Sequence, residues 1–249
     1  MRRYPSPHAV SYSFGPGPMS TAMKALIAAN VVVFIAQSID PGRTVETWLG
    51  LIPAYVFGQF RIWQPATYMF LHGGLFHLLF NMLALWMFGT ELERMWGTRY
   101  FLKFYFVCGV GAGVLTVFFS LMPFGFAEEL RTSIVIGASG AIYGLLLAYG
   151  LYFPHRPILM FMLFPIPARY FVMIIGAIAF YSSLGATGGV ASATHLGGLI
   201  VGYLYLKGAR GDPLSELKYR YLKWKINRVR RKFDVYSGGR AKDYDRRVH

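Results

Sequence analysis

The 249 residues are 55% hydrophobic and only 14% charged, with a formal net charge of +14. That is too apolar for an ordinary soluble fold, and it is long enough for one domain or two. The single cysteine, Cys108, excludes an internal disulfide and a thiolate metal site. Charge is distributed unevenly: 14 of the 25 Lys and Arg lie from Lys207 onward, and the body before them is almost uncharged. Such a tail suits the cytoplasmic face of a membrane more simply than it suits nucleic acid.

Residues 1–20 hold Arg2, Arg3, four prolines and two glycines, and they read as a flexible N-terminal arm. The apolar stretch that follows lacks a small-residue cleavage site and reads as a retained span. Six runs are long enough, or nearly so, to cross a bilayer, which takes about 20 mostly apolar residues. They lie near 21–39, 71–90, 102–122, 134–153, 169–184 and 190–207, the fifth being short. The expected fold is therefore an all-α membrane protein. Between the first two runs, residues 40–70 carry Trp48, Tyr55, Phe57, Phe60, Trp63 and Tyr68 among Arg43 and Arg61. This pattern predicts a structured loop at the membrane interface. Residues 157–168 are apolar, but Pro157, Pro165 and Pro167 oppose a helix there. No internal repeat is visible, which counts against a repeat-built transporter.

The short loops set the orientation. Arg94, Arg99 and Lys103 follow the second run, and Arg156 and Arg169 follow the fourth. The loop after the third has Arg131 beside Glu128 and Glu129, and the one after the fifth has no charge. With the basic tail, the positive-inside rule places both termini in the cytoplasm, which an even number of spans satisfies. In the tail, residues 208–249, a basic amphipathic helix is expected over about 213–233. Leu214, Leu217, Leu222, Ile226, Val229 and Phe233 recur there at helical steps. It suits anionic lipid, or packing on the cytoplasmic loops.

Polar side chains at membrane depth are few. His77 and Asn81 are four apart and share a helix face. Ser139 opens the fourth run inside Gly137-Ala138-Ser139-Gly140, and His195 lies in the sixth. Measured from the first charge on the cytoplasmic side, Asn81 lies at roughly 20 Å, Ser139 at roughly 26 Å and His195 at roughly 18 Å. His77 is about 6 Å above Asn81. All fall in the outer half of a core about 30 Å thick, so the four groups can share one pocket. No Asp or Glu falls within the runs at this depth, which leaves a carboxylate-pair protease unsupported. His72 and His77 are five apart with no HExxH, so a zinc site is equally unsupported. What remains is a serine nucleophile with a histidine base, an acid-free variant of the serine triad. His77, Asn81 and the Ser139 N–H would then stabilise an oxyanion.

These residues resemble the rhomboid intramembrane serine proteases. His77-Leu78-Leu79-Phe80-Asn81 matches the family's HxxxN, Gly137-Ala138-Ser139-Gly140 its GxSG, and His195 with Gly198 and Gly202 its last helix. The similarity covers about residues 21–207. It implies a six-helix bundle that cleaves transmembrane segments of other proteins near the outer membrane face. By the same resemblance Ser139 is the nucleophile and His195 the base. His77, Asn81 and the Ser139 amide form the oxyanion hole, and Tyr143 stacks on the histidine. An interfacial tyrosine is an equal reading of Tyr143 from sequence alone. Gly198 and Gly202, with Gly140 and Gly144, permit close packing of the fourth and sixth helices. Arg61-Ile62-Trp63-Gln64 departs from the Trp-Arg pair of many members.

The implied setting is a multi-pass protein of a bacterial plasma membrane, with transmembrane proteins as substrates and lipid as a partner. No cofactor, metal or nucleic acid is expected. The uncharged stretch 182–192 and the fifth run are the expected moving parts. A non-catalytic relative that escorts membrane clients would generally lack the serine or the histidine. A transporter would show acidic coupling residues or repeats.

Overall fold

Ser20 starts the first helix and ties it to a distant part of the chain. Its hydroxyl accepts the Met23 N–H at 3.0 Å, a side-chain cap on an otherwise unpaired donor. The same hydroxyl donates to the buried Glu93 carboxylate at 2.7 Å, and Thr98 donates to the second carboxylate oxygen at 2.7 Å. A buried carboxylate needs such donors. The computed structural model describes residues 16–123, 127–160, 164–183, 189–210 and 223. Most of the arm expected at 1–20 lies outside these residues, as do nearly all of the tail with its 213–233 helix and the centre of the 182–192 stretch. Contacts divide the chain into two units, 1–206 and 207–249, and the first contains everything that follows, apart from the last turn of the final helix.

Helix α1 is Thr21–Ser38. Residues 40–70 then form α2 (Thr44–Leu49), α3 (Pro53–Gly58), α4 (Gln64–Thr67) and a 3-10 turn, Tyr68–Phe70. Pro53 and Pro65 sit in first turns, where the missing N–H costs nothing. Trp48 and Trp63 stack at 6.2 Å, and the Arg61 guanidinium lies 4.6 Å from the Trp48 ring and 4.7 Å from Tyr55. Buried Gln64 accepts from the Ile52 N–H at 3.1 Å and donates to the Thr47 carbonyl at 3.2 Å. The loop is thus held by its own aromatic and polar contacts.

Helix α5 (Leu75–Ala84) runs through a π-helical turn, Leu85–Gly89, into α6 (Thr90–Trp96). After Gly97, at φ +78°, α7 spans Thr98–Phe119. Short α8 (Ala127–Thr132) precedes α9 (Ser139–Tyr152). Strands β1 (Pro157–Met160) and β2 (Phe164–Pro167) pair antiparallel, with Ile158 opposite Ile166. Helices α10 (Ala168–Ser183) and α11 (Gly189–Arg210) complete the described chain.

Three of these segments are long and apolar enough to cross a membrane: Thr21–Ser38, Leu75–Trp96 and Thr98–Phe119. Ser139–Tyr152 and Ala168–Ser183 are shorter apolar helices. The hairpin corrects the all-helical expectation. A two-stranded ribbon has only edges, where prolines without an N–H are tolerated. The second run starts at Leu75 because extended Gly74 precedes it, and it continues past Glu91 and Glu93. The fourth starts at Ser139 rather than 134, because Val135 is taken by a bridge to Leu51. Helix α9 is buried over most of its surface, through Ala141, Ile142, Leu145, Ala148 and Tyr149 among others, and packs against α7.

Candidate active site

The position of Ser139 is set by the strand-like segment before it. Leu51 and Val135 exchange backbone hydrogen bonds of 2.9 and 2.8 Å. The Gly137 N–H then donates to the Tyr68 carbonyl at 2.9 Å. Gly137 sits at φ +129°, a conformation that L side chains rarely adopt. Helix α9 begins at Ser139, with no side-chain cap, so its first N–H groups and positive dipole end face the serine. Tyr68 is fully buried, and its hydroxyl donates to the Gly109 carbonyl at 2.7 Å, anchoring the end of the 40–70 loop to α7.

Helix α11 brings His195 to this point. Gly198 faces the Gly140 carbonyl, and a Cβ on Gly202 would lie 3.1 Å from the Gly144 Cα. The two backbones touch because none of the four residues has a side chain. One residue before His195, Thr194 meets Thr116 of α7 at 2.9 Å. Thr116 already donates to the Ala112 carbonyl at 2.8 Å, so Thr194 is the donor of that pair. The result is a distance of 2.8 Å between His195 Nε2 and Ser139 Oγ, across 56 residues of sequence. The Tyr143 ring, one turn after the serine, lies parallel to the imidazole at 4.2 Å and 6°.

His77 and Asn81 approach from α5. A Cβ on Gly137 would stand 2.9 Å from His77 Nε2 and 3.5 Å from Ser139 Oγ, so these two groups flank one small gap. Asn81 is buried, and its Nδ2 donates to the His77 carbonyl at 2.8 Å, leaving one amide hydrogen for another acceptor. His72 packs edge-on against His77, with ring centroids 5.1 Å apart. The structure therefore gathers Ser139, His195, Tyr143, His77 and Gly137 in one place, with Gly140, Gly198 and Gly202 at the helix contact that supports it. Three residues that hold these elements are not among the expected site residues: Tyr68, read from sequence only as one of the loop aromatics, Thr116 and Thr194. Nothing in their local pattern marks them, since each acts through a helix distant in the chain.

At the other end of α9, an open depression is lined by Glu91, Arg94, Phe153 and Arg156. Its charges are engaged: Arg156 pairs with Glu91 at 2.9 Å, and Arg94 holds the carbonyls of Pro16 and Pro18. It contains no nucleophile.

A serine hydroxyl in contact with an imidazole nitrogen can lose its proton as it attacks an electrophile. A helix N-terminus beside it favours the negative oxygen that results.

The family described as "Rhomboid domain" matches residues 59–210. Rhomboid protein 1, mitochondrial, of Saccharomyces cerevisiae is 34% identical over 187 residues, covering 73% of this chain and 51% of that protein. Rhomboid protease GluP of Bacillus subtilis is 34% identical over 190 residues, covering 75% and 34%. Rhomboid protease AarA of Providencia stuartii is 29% identical over 203 residues, covering 72% and 69%. The chain spans about half the length of the first of these relatives and about a third of the second.

Proposed function

The chain belongs to the rhomboid family and is an integral membrane protein, and from that premise we propose that it is an intramembrane serine endopeptidase. The observation that carries this reading is the 2.8 Å contact between Ser139 Oγ and His195 Nε2. Ser139 attacks the scissile carbonyl, and His195 takes its proton and passes it to the leaving amine. The negative carbonyl oxygen is received by His77 Nε2, the second amide hydrogen of Asn81 and the Ser139 N–H. Tyr143 limits rotation of the imidazole by stacking on it.

Hydrolysis at this depth needs water. Helix α9 has 14 residues, about 21 Å of rise, against a hydrocarbon core about 30 Å thick. With its other end at one membrane surface, the serine end would stop short of the opposite surface, which would give water a short path to it. The substrates proposed are transmembrane segments of other proteins, locally unwound to present a peptide bond. Taking α11 as a sixth span beside the five apolar helices would put both termini on the side of Arg94, Arg99, Lys103 and Arg156. GluP and AarA come from bacteria, and a bacterial plasma membrane is the proposed setting. The basic tail is proposed to contact anionic lipid.

A fluorophosphonate probe tests the nucleophile directly. Wild-type protein in detergent should become labelled, and Ser139→Ala should not. Equal labelling of both proteins would remove Ser139 from its role.

A further inference from the structure

A neutral imidazole has one N–H, on either Nδ1 or Nε2. If it were on Nδ1, the Nε2 of His77 would present a lone pair to the gap beside Ser139 and repel a developing oxyanion. The nitrogen that carries the proton is decided by the partner of the other one. In this structure the Gly73 N–H donates to His77 Nδ1 across 3.2 Å. An amide N–H can only donate, so Nδ1 must accept, and the ring proton resides on Nε2. Nε2 is the nitrogen that faces Gly137.

The Gly73 amide is itself held. The His72 carbonyl and the Gly73 N–H belong to one planar peptide unit and point in opposite directions. Gln37, near the end of α1, grips the His72 backbone from both sides. Its Oε1 accepts the His72 N–H at 2.9 Å, and its Nε2 donates to the His72 carbonyl at 3.4 Å. Pinning that carbonyl turns the Gly73 N–H toward His77. The Gln37 amide is supported in turn by Glu46 of α2, at 3.3 Å. His72, edge-on to the His77 ring, limits its tilt.

The geometry points to a positioning relay: Gln37 orients the His72–Gly73 peptide, whose N–H fixes His77 as the Nε2–H tautomer and so makes it an oxyanion donor. This rests on the proposed role of His77. The ordinary alternative is that the Gly73–His77 bond only closes the first turn of α5, where N–H groups lack partners. That alternative predicts a stability effect and no dependence of chemistry on the ring proton.

The test is 15N NMR of the full chain in detergent with ring-labelled histidine, the His77 signals being assigned by their loss in His77→Gln. At neutral pH the relay requires an unprotonated Nδ1 and a protonated Nε2. Gln37→Ala should mix the tautomers and lower kcat by up to roughly 100-fold, the lower end for loss of one oxyanion donor, with KM nearly unchanged. Gly73→Ala keeps the N–H, and its Cβ would sit 3.6 Å from Nδ1, so the His77 tautomer should stay that of the wild type. A protonated Nδ1 in the wild type overturns the relay, and that spectrum decides the matter even if Gln37→Ala does not fold. Gln37→Ala with both the wild-type tautomer and the wild-type kcat overturns it equally. The resting tautomer is read without turnover, so an inactive chain showing Nε2–H would count against the protease reading and leave this one standing.

Discussion

Gly198 faces the carbonyl oxygen of Gly140 so closely that one methyl group on Gly198 has nowhere to go. The obstacle is backbone, which cannot swing aside as the tip of a side chain can. Gly198→Val should therefore push α11 away from α9, lower thermal stability by about 1–3 kcal/mol or more, and abolish proteolysis by separating His195 from Ser139. Thermal unfolding in detergent and a cleavage assay check both effects. Full cleavage by a stable Gly198→Val protein would contradict this packing.

The Tyr143–His195 stack predicts a graded response. Tyr143→Phe keeps the ring and should retain most activity. Tyr143→Ala removes a contact worth about 0.5–1.5 kcal/mol, so a loss of roughly 2- to 13-fold in kcat/KM is expected if that energy positions the base. Steady-state kinetics on one substrate distinguish the pair. Equal loss in both variants would place the importance in the hydroxyl instead.

Asn81 should affect rate more than binding. Its bond to the His77 carbonyl lies within one turn of α5, so Asn81→Ala disturbs the fold little. In the proposed role of oxyanion donor it would act mainly in the transition state, and its removal should lower kcat about 100-fold with KM nearly constant. A raised KM at unchanged kcat would make Asn81 a substrate-binding residue.

Tyr68 provides a contrast of stability with chemistry. Tyr68→Phe deletes a buried hydrogen bond to the Gly109 carbonyl and should cost about 0.5–1.5 kcal/mol. Labelling of Ser139 by a fluorophosphonate should persist. A variant of unchanged melting temperature that no longer reacts with the probe would assign Tyr68 a more direct part in the site.

The residues proposed to carry the chemistry are conspicuous in the sequence because a membrane makes polar groups stand out. Ser139, His195, His77 and Asn81 stand out against apolar runs, and the four-residue step between His77 and Asn81 places them on one face. The glycine spacing of Gly198 and Gly202 likewise marks a close helix contact. Backbone donors and acceptors leave no such trace. The Gly73 N–H and the Tyr68 carbonyl belong to every sequence, and only the fold reveals their partners. The 157–167 hairpin is not legible in the sequence, because prolines exclude a helix without specifying what replaces it. The start of α9 was read early because Ile134 to Ile136 are as apolar as a helix interior, although Val135 is taken by a pairing with Leu51.

Cleavage of a labelled single-span protein by the purified chain in detergent tests the shared role of Ser139 and His195 most directly. Wild type should release one defined fragment, whereas Ser139→Ala and His195→Ala should release none while keeping the wild-type melting temperature. Fragment release at the wild-type rate by either folded variant would contradict the account.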